Sequence, residues 1–204
     1  MDLVHTVALS AGLAWASGMR LYAVLFAAGL LARLGYLDLP GDLAILQHPL
    51  VLIASGLMLA VEFFADKIPL VDSFWDSIHT FIRIPAGAVL AAMALGNHDP
   101  AVMVAAGILG GTLSAGTHLT KAGGRALINT SPEPFSNIAT SLGEDVLVAG
   151  GLYSAIAFPV VFLILLSVFI VLVAWLLPKI WQGVRMAVAG IKGNLSRINA
   201  PGST

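Results

Sequence analysis

Long apolar runs alternate along the chain with short clusters of charge, glycine and proline. Residues 3–34 are apolar except for Ser17-Gly18-Met19-Arg20. As one helix this run would be about 48 Å long, well beyond the roughly 30 Å of a bilayer core. It is either one tilted helix or two pieces broken at Ser17-Gly18, and the break is preferred because Arg20 could then serve the freed backbone groups. The alternative makes Arg20 the aqueous turn of a helical hairpin. Residues 35–42 read as a loop. Pro49 is placed to open a helix that runs to about Asp66. Pro69 breaks the chain, Asp72 is a candidate N-cap for a 12-residue segment, and Pro85 ends or kinks that segment. Residues 84–95 are a second short apolar piece, and 97–100 a loop. A Gly- and Ala-rich run follows over 101–116, and small residues there would let helices approach closely. Ser131 and Pro132 read as the cap and first position of a helix carrying Glu144 and Asp145. Residues 146–177 are apolar with an interruption at Pro159, and 153–177 form the clearest single span.

Two polar stretches stand out against this background. Wound at about 100° per residue, Asp72, Asp76, His79 and Arg83 fall within roughly 60° of one another, with Phe74, Ile78, Phe81 and Ile82 opposite. His118, Lys121 and Arg125 share a second face, provided Gly123-Gly124 does not break the helix. Glu62 and Asp66, one turn apart, repel unless a proton, a cation or a base separates them; Lys67, Arg20 and Arg83 are the candidate partners.

Composition settles the class. The chain is 58% hydrophobic and 10% charged, with mean hydropathy +0.94. Soluble domains carry about 25% charged residues, so we read a polytopic, multi-pass membrane protein with the lipid bilayer as its first partner. A net charge of −1 argues against a nucleic-acid partner, and the absence of Cys excludes disulfides and thiolate chemistry. The N-terminus reads as a first membrane helix rather than a removed signal. Beyond residue 178, Lys179, Arg185, Lys192 and Arg197 accompany Ile180, Val184, Val188, Ile191, Leu195 and Ile198 at helical spacing. This is the pattern of a basic amphipathic tail on the membrane surface, cytoplasmic by its excess of Lys and Arg.

Leu9-Ser10-Ala11-Gly12 recurs as Leu113-Ser114-Ala115-Gly116, and in each case a Gly, a basic residue and later a pair of acids follow. The expected fold class is therefore all-α: a polytopic membrane helical bundle with short, discontinuous helices and a weak internal, inverted repeat. Residues 1–177 form one transmembrane domain with candidate halves 1–97 and 98–177, and 178–204 the interfacial tail. Small-residue faces permit a homo-oligomer.

Three functions fit these clusters. A charge at the bilayer centre costs at least about 2.5–3.5 kcal/mol, so these charges are expected to meet in a polar interior. A transporter or channel for a small polar or ionic solute would use Glu62 and Asp66 for proton or cation coupling. Arg20, Arg83, Lys121, Arg125, Glu144 and Asp145 would complete its solute site. A membrane-embedded enzyme acting on a lipid phosphate would instead hold a divalent cation on Asp72, Asp76 and His79. A scaffold protein would use the same charges only as internal ion pairs.

The run from Glu62 to Asp72 with Trp75-Asp76, His79-Thr80 and Arg83, then His118, Lys121, Arg125 and Ser131-Pro132-Glu133-Pro134 with Ser136-Asn137, resembles small bacterial and plant membrane proteins. These form the family of domain of unknown function 4126. The resemblance covers the chain to about residue 177. It implies a polytopic inner-membrane protein and brings no reaction or substrate.

Overall fold

The computed structural model describes residues 2–96, 98–130 and 134–198. Among them the chain forms α1 (Leu3–Arg33), a 3₁₀ helix (Gly41–Gln47), α2 (Pro49–Ala65), α3 (Val71–Met93), α4 (Pro100–Ile128), α5 (Pro134–Ala157) and α6 (Pro159–Ile198), with no strand. By length and composition three of these, α1 taken across its break at Arg20, α4 and α6 to Met186, are long and apolar enough to cross a membrane. The 3₁₀ helix with α2 adds a fourth candidate, bent by 66°.

Local chemistry sets the helix starts. Asp2 accepts from the His5 amide at 2.8 Å, His48 Nδ1 from the Leu50 amide at 3.3 Å and Asp99 from the Ala101 amide at 2.7 Å. These groups satisfy donors that the first turn leaves free. Pro49 and Pro100 sit where a missing N–H costs nothing. Asp72 does not cap α3: Leu70 holds that position at φ 71°, and Asp72 lies inside the first turn. Pro85 does not end α3 either. The helix runs on to Met93, which merges the two expected short pieces into one of 23 residues. Gly123-Gly124 leave α4 unbroken.

The break in α1 falls at Arg20 (φ −141°, ψ 71°), three residues past Ser17. It reverses the chain. Gly12 lies against Ala155, while Leu31 shares a groove with Ile156, the very next residue. On a straight helix Gly12 and Leu31 would be about 28 Å apart. Thr6, near the start of α1, likewise shares a groove with Leu39 and Pro40, beyond its end. The first arm (3–19) and the second (21–33) therefore form a hairpin with Arg20 at its tip, which is fully buried rather than aqueous.

That first arm is the axis of the bundle. Close packing against it comes from small residues. A Cβ on Gly18 would stand 2.5 Å from the Ser114 carbonyl, and one on Gly87 would stand 2.8 Å from Ser17 Oγ. Contacts of this kind run α4 and α6 parallel to the arm, and α3 and α5 antiparallel to it. The loops over 34–48, 94–96 and 98–99 and the Phe158 break gather at one end of the bundle. The Arg20 tip, the 66–70 turn, the end of α4 and the start of α5 gather toward the other. Leu9, Leu13, Val24, Leu90, Leu152 and Phe162 fill the first half with an apolar core. Phe74, Ile78, Phe81 and Ile82 of α3 are exposed, while Asp72, Asp76, His79 and Arg83 are buried. The helix is thus amphipathic inside out, as a lipid-facing helix with a polar interior must be.

The tail continues α6 as helix to Ile198, past Pro178. Its apolar positions from Val188 onward, with Lys192 and Arg197, lie outside the described side chains. The Ser131-Pro132 helix start and Glu133 lie outside the described residues.

Candidate functional site

Five elements deliver charge to one place. The α1 tip brings Arg20; α2 and its C-cap bring Glu62, Asp66 and the adjacent Lys67; α3 brings Asp72, Asp76 and Arg83; α4 brings Lys121 and Arg125; α5 brings Glu144 and Asp145. The Arg20 break also frees the Met19 carbonyl, and Lys121 Nζ donates to it at 3.2 Å. Gly18, with no side chain, lets α4 close on the tip so that Lys121 can reach.

The ion pairs form one connected set. Arg83 bridges Glu62 and Asp76, the latter at 2.8 Å. Lys121 lies 2.7 Å from Asp66, 3.5 Å from Asp76 and 3.6 Å from Glu144. Arg20 lies 2.5 Å from Asp66, 3.6 Å from Glu144 and 3.1 Å from Asp145. Arg125 meets Glu144 at 2.9 Å and Asp72 at 3.6 Å, and Lys67 closes on Asp145 at 4.0 Å. The two carboxylates at the end of α2 thus avoid mutual repulsion by taking different bases: Arg83 for Glu62, Arg20 and Lys121 for Asp66.

Six carboxylates face five cations, so the set carries one acid in excess when all are ionised. Most of its side chains are sealed from solvent. The open edge is Asp145 (30% exposed), Lys67 (19%) and Glu144 (10%). From Asp72 to Arg83 the set extends about 16 Å along α3. Glu62 Oε2, Asp66 Oδ1, Asp72 Oδ2, Asp76 Oδ2 and Asp145 Oδ2, and on the basic side Arg20 Nε, Arg20 Nη1 and Arg83 Nε, are buried with no hydrogen-bond partner among the described residues. Orphan carboxylate oxygens of this kind are uncommon in folded proteins.

The expected metal ligands separate. Asp72 accepts from Asn129 at 2.7 Å and Asp76 from Arg83. His79 turns to the other side: its Nδ1 bonds the Trp75 carbonyl at 2.8 Å and its Nε2 the Tyr22 hydroxyl at 3.1 Å, with the Trp75 ring stacked on it at 4.1 Å. Because a carbonyl only accepts, the proton sits on Nδ1 and Tyr22 donates to Nε2. Among the described residues no group of three His, Asp or Glu is placed to hold a metal ion. Sharing a helical stripe fixed the angle of these side chains but not their neighbours.

His118 joins the set through Arg83, at 3.3 Å from Nδ1, and through Thr80, at 2.7 Å from Nε2. Several uncharged members carried no sequence signal beyond being polar in an apolar helix. Ser141 accepts from Arg20 at 2.9 Å and from Lys67 at 3.3 Å. Asn137 accepts from Arg125 at 3.1 Å and donates to Asn129 at 2.8 Å. Lys67 also lies 3.1 Å over the Phe63 ring, a cation–π contact that shields its charge at the rim.

The family model described as Domain of unknown function (DUF4126) matches residues 7–179. Compared with curated proteins and with solved structures, the chain finds no match in either.

Proposed function

As the chain belongs to the family of domain of unknown function 4126, whose description assigns no reaction, we propose a function from geometry: it moves a small polar or ionic solute across the membrane. On this reading the charged set is both solute path and gate. The observation that carries it is the imbalance just described: one surplus carboxylate, and five buried carboxylate oxygens against three buried guanidinium nitrogens without hydrogen-bond partners among the described residues, in the interior of an apolar bundle. A set built only to staple helices gains nothing from an unmatched buried acid, because desolvating a charge costs several kcal/mol unless it is fully compensated. A path that admits a proton or cation requires such a site. Glu62 and Asp66 are its coupling groups, and the Arg20 tip, held at a one-residue break, is the part that moves.

Orientation follows from the two ends. One exposes Asp2, Asp38, Asp42 and Asp99 with Arg33; the other exposes Lys179 and Arg185 and leads to Lys192 and Arg197. The excess of Lys and Arg at the second end supports a cytoplasmic position for the charged half and the C-terminus, with the protein in the inner membrane.

The test is ion flux into vesicles. Protein reconstituted into proteoliposomes and given a pH gradient should collapse it faster than protein-free vesicles of the same lipid, with or without an added solute. A rate equal to that of empty vesicles under every solute tried would remove the transport reading in favour of a structural one.

A further inference from the structure

Three cations from two helices converge on a single oxygen. Arg20 NH2, Lys121 Nζ and Arg125 NH2 lie 3.6, 3.6 and 2.9 Å from Glu144 Oε2, and Arg125 Nε reaches Oε1 at 3.2 Å. Arg125 therefore grips the carboxylate side-on with two parallel N–H groups, the geometry by which guanidinium recognises carboxylates and phosphates. Glu144 differs from the other carboxylates these cations hold. Asp66, Asp72 and Asp76 lie at the sealed interior, and Asp145 sits on the rim with Lys67. Glu144 joins the two: its side chain is 10% exposed, and the adjacent Gly143 faces open space. Of the six carboxylates it is the one that touches Arg20, Lys121 and Arg125 together.

We propose that Arg20, Lys121 and Arg125 form a binding site for a singly charged oxyanion, a carboxylate or a monoanionic phosphate, and that Glu144 is a tethered stand-in occupying it in the closed state. An incoming monoanion replaces the Glu144 carboxylate without changing the net charge of the set, and the displaced side chain moves out past Lys67 and Asp145. Ser141, one helical turn before Glu144 and Asp145 on α5, is buried behind them and accepts from Arg20 and Lys67. This deepens the transport reading by naming the solute class, and it rests on that reading only for what happens after binding.

Binding can be measured without flux. The purified full chain in detergent is titrated with acetate and with inorganic phosphate, its Tm being followed against a potassium chloride series of equal ionic strength. Glu144→Ala should lose stability, and either oxyanion should restore it along a saturable curve. Half-saturation should fall at least about tenfold below that of the wild type, about 1.4 kcal/mol. Adding Arg125→Gln should abolish the effect. Mixed micelles with phosphatidic acid, compared with phosphatidylcholine, separate the two sources. Stabilisation by phosphatidic acid alone assigns the site to a lipid headgroup, and stabilisation by the soluble anions assigns it to a free solute. If neither moves the Tm of Glu144→Ala beyond the chloride series, the proposal is wrong. If that variant does not fold, the wild type decides: a phosphate response above the chloride series supports the site, and coincident series overturn it. A negative result here leaves proteoliposome flux untouched, and absent flux leaves binding untouched.

Discussion

Arg20 has no contact with solvent and places its guanidinium against Asp66, Asp145, Glu144 and Ser141. Removing that charge strands Asp66 on Lys121 alone and leaves Asp145 to a distant Lys67. Breaking a buried pair costs about 3–5 kcal/mol, so Arg20→Gln should lower the unfolding free energy in detergent by that amount. Arg33→Gln, whose exposed partner is the Gln47 carbonyl, should stay within about 0.5 kcal/mol. Equal effects would mean that the interior set is no more demanding than the surface. At this scale the site was largely legible, since acids and bases inside an apolar chain must find one another. The pairing was less so. Which base serves which acid depends on the α1 reversal, and His79 left the metal set because Trp75 and Tyr22 stand where no periodicity could place them.

At the scale of elements, the Gly18–Arg20 stretch told of a break but not of its sharpness. A one-residue reversal needs α4 to supply Lys121 to Met19 O and needs Gly18 to admit α4. Gly18→Ala should destabilise the fold by about 1–3 kcal/mol through overpacking. Gly143→Ala, with nothing near its added methyl, should be close to neutral in the same unfolding assay. The hairpin itself is testable because the chain has no Cys. Two separate double variants, Gly12→Cys with Ala155→Cys and Leu31→Cys with Ile156→Cys, should each cross-link with a short bifunctional thiol reagent. A straight α1 would hold one of those pairs about 28 Å apart, and only the other would react. Pro85 misled because a proline in lipid-facing surroundings gives up one hydrogen bond without ending the helix when neighbouring helices hold both sides.

Across the whole molecule, the bundle is apolar in one half and charged in the other, which neither a greasy centre nor a scatter of charges at two surfaces would give. Single cysteines at Asp38 and at Lys179 should label from opposite faces of the membrane, the latter from the cytoplasmic face; labelling from one face would refute the orientation. The half-and-half division was not readable in sequence, because it arises from the 3–33 hairpin placing Arg20 level with the ends of three other segments. What these charges do is settled most directly by flux through Glu62→Gln, a variant that keeps the shape of the side chain and removes its charge. In proteoliposomes with folded protein confirmed by an unchanged elution profile, we expect this variant to have lost the flux of the wild type. Flux at the wild-type rate would contradict the coupling role of the buried acids and return the set to a structural staple.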